Sequence, residues 1–558
     1  MTDQEEVIDT TTTEVSTPEA IASDDTNDAS TDIETDDDDN VRIGSISSAR
    51  FNILSTMVGG GCLSLPLAFS QSGNAGVGPL LLLIVGYITN FCFQRLVQTS
   101  RMLNPPHPTK PGSDTFESIT SEAFGPMANV VSMGLVVLMC FFGTVGYSVL
   151  LRDMVEPLND WLLQVTHQST EATNFGPRWW HKNFTMFLVV VLVTPFCTLR
   201  RLTALKDCGA LSMVSLLILG TCIVIRSVQC NLGYLPSQPD DLGFFDSDDA
   251  PWYSHLKFVP DSWHDLLDVI PLYISCFVCH YNILPVHNEL AEPTEARVSQ
   301  WLSSTTYFAV GLYMVMGFAG SAYAHCTPTG TIQGSKYQIR LARIVFKAHE
   351  GCSNKYLFFS TDILLDFDEH DPLLMVGRMC LAVTITLAFP MLVIPGRDIC
   401  VRSILLPRLQ QNRNANIDAP ELAEPLLEND HQQDDEEMVA ENTEQETTEE
   451  PLNLNTISFG VLLSISVVIF WSAALLASLV SSIDVVWDLL GSSLSILMSY
   501  LIPAGTYLVI TQKSTSENEE TTWKDKLSNL ACWLLLAGSI PLMVVSTANA
   551  VYNTFLKH

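Results

Sequence analysis

Charge is scarce in this sequence: 16% of its 558 residues are Asp, Glu, Lys or Arg, against 47% hydrophobic, and the mean hydropathy is +0.24. An ordinary soluble domain carries about 25% charged residues, so that class is excluded. Basic residues are the scarcest, 28 Lys and Arg against 61 Asp and Glu. A nucleic-acid partner would need them against phosphate, and none is expected. Gly-x-Gly-Asp, His-Glu-x-x-His and P-loop sequences are absent too. That removes the intramembrane-protease and ATP-driven readings, and no enzyme activity is expected. The N-terminus is acidic where a secretory signal is basic, so no signal peptide is expected.

Long apolar runs are what the chain does have. A span of roughly 18 or more apolar residues with few charges is a transmembrane helix candidate. About eleven such blocks occur, near 50–72, 77–99, 127–151, 184–200, 208–228, 266–287, 301–324, 373–395, 456–480, 484–511 and 527–555. The fourth and sixth are interrupted by proline or polar residues. The acids cluster outside them, about 15 in residues 1–42 and about 14 in 418–450. These segments are too poor in apolar residues to form a core and read as solvated cytoplasmic tails, open to regulatory proteins.

Orientation follows from lysine and arginine in the short loops. Arg95, Arg101 and Lys110 follow the second span, Arg200, Arg201 and Lys206 the fourth, Arg397, Arg402 and Arg408 the eighth, and Lys513, Lys524 and Lys526 the tenth. All lie on one side if the N-terminus is cytoplasmic. Lys336, Arg340, Arg343 and Lys347 lie on the other face and weaken the asymmetry.

Most of the 14 cysteines sit within apolar spans, as small buried hydrophobes do. Cys230, Cys326 and Cys352 are expected outside. Cys326 and Cys352 share one long external loop and form the expected disulfide, with Cys230 as a competitor. Asn183-Phe-Thr185 is an external glycosylation sequon that abuts the fourth span.

Two stretches carry the chemistry. In the first span, "FNILSTMVGGGCLSLPLAF", three glycines and Pro66 weaken a helix. Small residues also allow close helix packing. The functional alternative is a helix that unwinds at Gly59–Gly61 and exposes backbone groups to a ligand, tolerable only where protein or a watery cavity satisfies them. In the sixth span, Cys276-x-x-Cys279-His280 spells a c-type haem attachment site. Its apolar surroundings place it in the membrane, and no haem is expected. Instead, Ser275, Cys276, Cys279, His280 and Asn282 interrupt the span before Pro285, as the glycines do before Pro66. Paired interrupted spans in two halves mark an inverted-repeat transporter.

The stretches "FNILSTMVGGGCLSLPLAFSQSG", "FVCHYNILPVHNEL" and "DILLDFDEHDPLLMVGRMCLAVTITLAFPMLVIPGRD" resemble, in this order, the first, sixth and eighth helices of the amino acid/auxin permease family. The likeness is greatest to its sodium-coupled neutral amino acid and vacuolar amino acid transporter branches, and it runs from about residue 45 to 512. It implies an all-α polytopic membrane protein with about 11 transmembrane helices, in a 5+5 inverted-repeat, LeuT-like fold plus one extra helix. The organisation expected is an acidic cytoplasmic tail over 1–45, a first repeat over 46–230 and an external loop over 231–265. A second repeat follows over 266–512, with an external loop at 325–372 and an acidic cytoplasmic loop at 409–455, and the last span lies in 513–558. The function implied is cation-coupled secondary active transport of amino acids, neutral ones, across the plasma membrane or a vacuolar or lysosomal membrane. A sensor that uses the same site and signals through its acidic segments is the alternative.

Expected substrate contacts are Ser55, Gly59, Gly60, Gly61, Ser275, Cys276, Phe277, Cys279 and His280. Amides freed at the glycines suit a carboxylate, and carbonyls freed around Ser275–Val278 suit an ammonium group. Phe142, Tyr147 and Ser492 are candidates for reading the substrate side chain. By analogy with the fold, Ser55, Val58, Thr384 and Thr386 could hold sodium, with Thr386 preferred. Some relatives carry asparagine where Ser55 stands, so the coupling ion, Na+ or H+, stays open; no other cofactor is expected. Arg378 and Asp488 lie near span ends, where snorkelling or cavity lining accounts for them.

Overall fold

Proline and glycine set where the first membrane helix stops and restarts. Helix α1 (Ile46–Met57) begins at Ser45, whose hydroxyl accepts from the Ser48 amide. It ends at Val58, and a 3-10 turn over Gly60–Ser64 leads into α2 (Leu65–Ser72). The two arms are bent by 53°. Pro66 falls in the first turn of α2, where an amide has no helical partner to lose. The break thus removes the cost that Pro66 would impose on a continuous helix.

The computed structural model describes residues 44–105, 114–165, 178–199, 206–232, 256–323, 364, 371–405, 457–480, 486–487, 490–515 and 523–552. After α2 come α3 (Val77–Leu103), α4 (Phe116–Phe124), α5 (Pro126–Val165), α6 (Arg178–Val193) and α7 (Lys206–Asn231). The second half holds α8 (Trp263–Ser275), α9 (His280–Glu289), α10 (Glu295–Ala322), α11 (Pro372–Cys400) and α12 (Phe459–Leu479). Wide π turns over Leu490–Ser495 and Leu497–Leu501 run into α13 (Ile502–Thr515), and α14 is Trp523–Val551. Among the described residues the only β pairing is one isolated bridge, Gly44 with Leu290, so the described architecture is all-helical.

Nine helices among the described residues are long and apolar enough to cross a membrane, and the bent pair α1–α2 makes a tenth. The expected count of about eleven is not confirmed among the described residues. The fourth block supplies α6, whose apolar part, Asn183–Val193, is shorter than a bilayer core of about 30 Å requires. Pro195 opens a 3-10 turn two residues beyond it. Asn183 itself is buried, which leaves no room for a glycan in this conformation.

Helix α11 packs against α5 and α7, and α1 against α7 and α10. Gly209 on α7 permits one close approach: a Cβ there would lie 3.1 Å from the Phe51 carbonyl oxygen. Pro395 within α11 has no amide for the Met391 carbonyl. The Asn282 side-chain amide, from α9, donates to that oxygen at 3.3 Å. A proline that would leave a bare carbonyl in the core thus becomes a tie between two helices. Arg152 caps the C-terminal end of α12 in the same spirit, donating to the carbonyls of Ala477 and Val480 at 2.9 and 2.8 Å.

The acidic segments, Cys326, Cys352 and Asp488 lie outside the described residues.

Candidate substrate and ion site at two helix breaks

The sixth span breaks as the first does: α8 ends at Ser275 and α9 restarts at His280. The two breaks touch. A Cβ on Gly61 would come within 3.3 Å of the Cys276 Cα, and the Cys276 thiol donates to the Gly61 carbonyl at 3.2 Å. Only glycine allows backbone to approach backbone this closely. Tyr313, from α10, joins them further: its hydroxyl lies 2.8 Å from the Met57 carbonyl oxygen and 2.6 Å from that of Cys276.

A helix end leaves amides or carbonyls without partners, and the question at membrane depth is which remain free. In the first break the carbonyls of Gly59 and Gly61 are served locally. The Cys62 thiol donates to Gly59 O at 3.0 Å and the Ser64 hydroxyl to Gly61 O at 2.8 Å. The amides are not: among the described residues those of Gly59 and Gly61 reach no acceptor. At the end of α1, the Val58 amide bonds Leu54 O, which leaves the Ser55 carbonyl without an amide donor there. The Ser55 hydroxyl is buried and unpartnered as well. In the second break the order is reversed. The amides of Cys276, Phe277 and Val278 turn back onto Leu272, Ile274 and Ser275, while the carbonyls of Phe277 and Val278 receive no donor among the described residues. The glycines of the first break therefore offer donors, and Phe277 and Val278 of the second offer acceptors.

Tyr147, from α5, closes over the glycines. A Cβ on Gly59 would fall 1.7 Å from the Tyr147 hydroxyl oxygen, so Tyr147 rests on bare backbone. Phe389 and Trp487 meet the Tyr147 ring edge-on, each with centroids 6.2 Å away.

The other expected residues are placed as follows. The Ser275 hydroxyl bonds its own helix at Leu272 O, 2.8 Å. Phe277 packs edge-to-face on Tyr313 with centroids 5.1 Å apart, and Cys279 is a buried free thiol. His280 turns to α3, its ring 4.5 Å from that of Phe93, and both its nitrogens are buried without a partner among the described residues. Phe142 packs on Phe141, while the Ser492 carbonyl accepts from Ser546 and Thr547 of α14, well along the chain from either break. Arg378 does not snorkel: it is 1% exposed and donates to Leu364 O at 2.9 Å.

The two threonines of α11 part company. Thr384 is fully buried and its hydroxyl faces α7, 3.3 Å from Ser212 O, besides its own Cys380 O at 3.0 Å. Thr386 is only half-buried and bonds its own Ala382 O at 2.6 Å. Among the described residues no cluster of His, Cys, Asp and Glu could hold a metal ion, so hydroxyls and carbonyls are the oxygen donors on hand. Sequence reasoning missed Tyr313, and nothing in its local sequence distinguishes it from any other membrane tyrosine. Asn282 was visible as a polar residue in an apolar span. It bonds Thr56 Oγ1 at 3.3 Å as well as Met391 O.

Two membrane spans broken at junctions that touch each other are the pattern of inverted-repeat membrane folds. The chain matches the family described as "Transmembrane amino acid transporter protein" over residues 42–325 and 358–551, and it belongs to that family. The match continues into α14, past residue 512 where the resemblance was expected to end.

Among similar proteins, "Putative sodium-coupled neutral amino acid transporter 11" of Danio rerio is 24% identical over 348 residues, 62% of this chain and 63% of that protein. "Amino acid transporter AVT6D" of Arabidopsis thaliana is 25% identical over 286 residues, 50% of this chain and 60% of that protein. The chain thus spans less than two thirds of the length of these relatives. A crystal structure of MhsT in complex with L-phenylalanine aligns with a TM-score of 0.47 at 11% identity, covering 90% of this chain and 98% of that one.

Proposed function

We propose that this protein is a secondary active transporter that carries neutral amino acids across a membrane together with a cation, by alternating access around the broken first and sixth spans. One observation carries the reading: unpartnered amides at Gly59 and Gly61 lie in a break that touches unpartnered carbonyls at Phe277 and Val278. A zwitterion supplies the carboxylate for the first set and the ammonium group for the second. Those groups are common to all α-amino acids, so Tyr147 and its aromatic neighbours are left to read the side chain. Family membership and the names of the relatives support the substrate class.

The cation is assigned to the carbonyls of Ser55 and Val58 with the Thr384 hydroxyl, because sodium favours oxygen ligands and Thr384 lies on the buried face of α11. Chain ties support the rigid-body motion required. At one end Gly44 bonds Glu289 O and its own oxygen accepts from Ala291, both at 2.9 Å. At the other, the amides of Ala75 and Val77 bond Lys257 O and Phe258 O, also at 2.9 Å. Each arm of the first span is thereby fastened to the opposite arm of the sixth, as two inverted repeats require. The N-terminus is assigned to the cytoplasm. That orientation puts Cys230, which is disulfide-bonded, at the end of α7 on the oxidising side.

Radiolabelled uptake into proteoliposomes, with sodium and proton gradients imposed separately, tests the proposal. Gradient-driven uptake of neutral amino acids is the expected result. Saturable binding without flux under either gradient would overturn it in favour of a sensor.

A further inference from the structure

Away from both breaks, α3, the π turns before α13, and α14 enclose a cavity of about 750 Å³. Its walls are apolar along most of their length, and α14 contributes one face from Leu527 to Leu542. At 1.5 Å per residue that face is roughly 22 Å long, so the cavity is a slot. One end is basic. Arg95 on α3 donates to the hydroxyls of Tyr507 and Ser528, both at 3.2 Å, and its guanidinium lies 5.2 and 4.9 Å from the ring centroids of Phe91 and Tyr507. These partners are neutral, and no carboxylate among the described residues pairs with it. Its Nε is buried and has no acceptor. Lys524, exposed, stands four residues before Ser528 and so on the same face of α14. A positive charge held by hydroxyls and rings at the mouth of an apolar slot is an unneutralised anion site.

We infer that this slot binds one anionic phospholipid, an acyl chain lying along α14 and the headgroup phosphate meeting Arg95, Ser528 and Lys524. The basic end lies on the side of the lysine- and arginine-rich loops, which makes the lipid one of the cytoplasmic leaflet, where anionic lipids concentrate. Neither Arg95 nor any wall residue belongs to the proposed substrate or cation site, so the inference stands or falls apart from the transport reading.

The test is thermal unfolding of the full chain in detergent, titrated with phosphatidylserine, with phosphatidylcholine of the same chains, with a sterol and with inorganic phosphate. Phosphatidylserine is expected to raise Tm by about 5 °C, and the other three by less than half as much. Gly538→Phe decides the location, because Gly538 lines the slot and a Cβ there meets nothing within 4 Å. This variant should keep its lipid-free Tm and lose the phosphatidylserine increment. Lys524→Gln, at an exposed position, should narrow the preference for phosphatidylserine over phosphatidylcholine, and Arg95→Gln should abolish it. Equal shifts with the two phospholipids, a full shift with sterol or phosphate alone, or an undiminished increment in Gly538→Phe would each overturn the assignment.

Discussion

The Tyr313 hydroxyl lies 2.6 Å from the carbonyl oxygen of Cys276, and the same hydroxyl is 2.8 Å from that of Met57. One side chain on α10 therefore holds the last turns of both α1 and α8. Those carbonyls are orphaned by the helix ends, and at this depth no water is assured for them.

Removing that hydroxyl should be costly out of proportion to its size. A buried carbonyl stripped of its donor costs about 1–3 kcal/mol. Tyr313→Phe is expected to reach the membrane but to lower uptake efficiency by roughly tenfold, since 1.4 kcal/mol is a factor of ten, and to lower Tm. Initial uptake rates and a melting curve on purified protein measure both. Wild-type values for each would remove Tyr313 from the junction.

Gly59 and Tyr147 should behave as a unit. Gly59→Ala puts a methyl where the Tyr147 hydroxyl now sits, so uptake should fall at least about tenfold by the same conversion. In the double variant with Tyr147→Ala the losses should be less than multiplicative, because the clash is gone. A four-way comparison of uptake rates reads this directly, and strictly multiplicative losses would mean that the two side chains do not meet in the working protein.

The two threonines of α11 offer a test of the proposed cation site. Thr384→Ala should raise the half-saturating concentration of the driving cation and, by reciprocal coupling, weaken apparent amino acid affinity at subsaturating cation. Excess cation should restore much of it. Thr386→Ala, which gives up only a bond to Ala382 of its own helix, should change neither. The reverse pattern would return the assignment to Thr386.

Cys230 offers a test of orientation. It is disulfide-bonded, while the ten other cysteines with described side chains, such as Cys222 on the same helix, are free thiols. Peptide mapping of unreduced protein should recover Cys230 in a cross-linked peptide, and a membrane-impermeant reductant added from the external side should release it. Protection from that reductant, with release only after permeabilisation, would place the C-terminal end of α7 on the cytoplasmic face.

Much of this could be read before any coordinates. Helix-sized apolar runs register in composition because each must bury its own backbone hydrogen bonds in lipid. The breaks at Gly59–Gly61 and at Ser275–His280 showed because glycine and polar residues are conspicuous in such runs. Among the described residues the apolar part of α6, Asn183–Val193, is shorter than a span and is followed by Pro195.

What the sequence by itself determined is therefore the solvent, the helical class and the places where helices fail, all of them local consequences of side-chain transfer and backbone propensity. Tertiary structure alone decided which partners those failures meet. Tyr313 reaching two breaks, Asn282 serving the carbonyl that Pro395 strands, His280 turning to Phe93 and Thr384 rather than Thr386 facing α7 all depend on how helices are rotated against one another. That rotation is set by packing summed over many contacts between residues far apart in the chain, and a single position carries no mark of it.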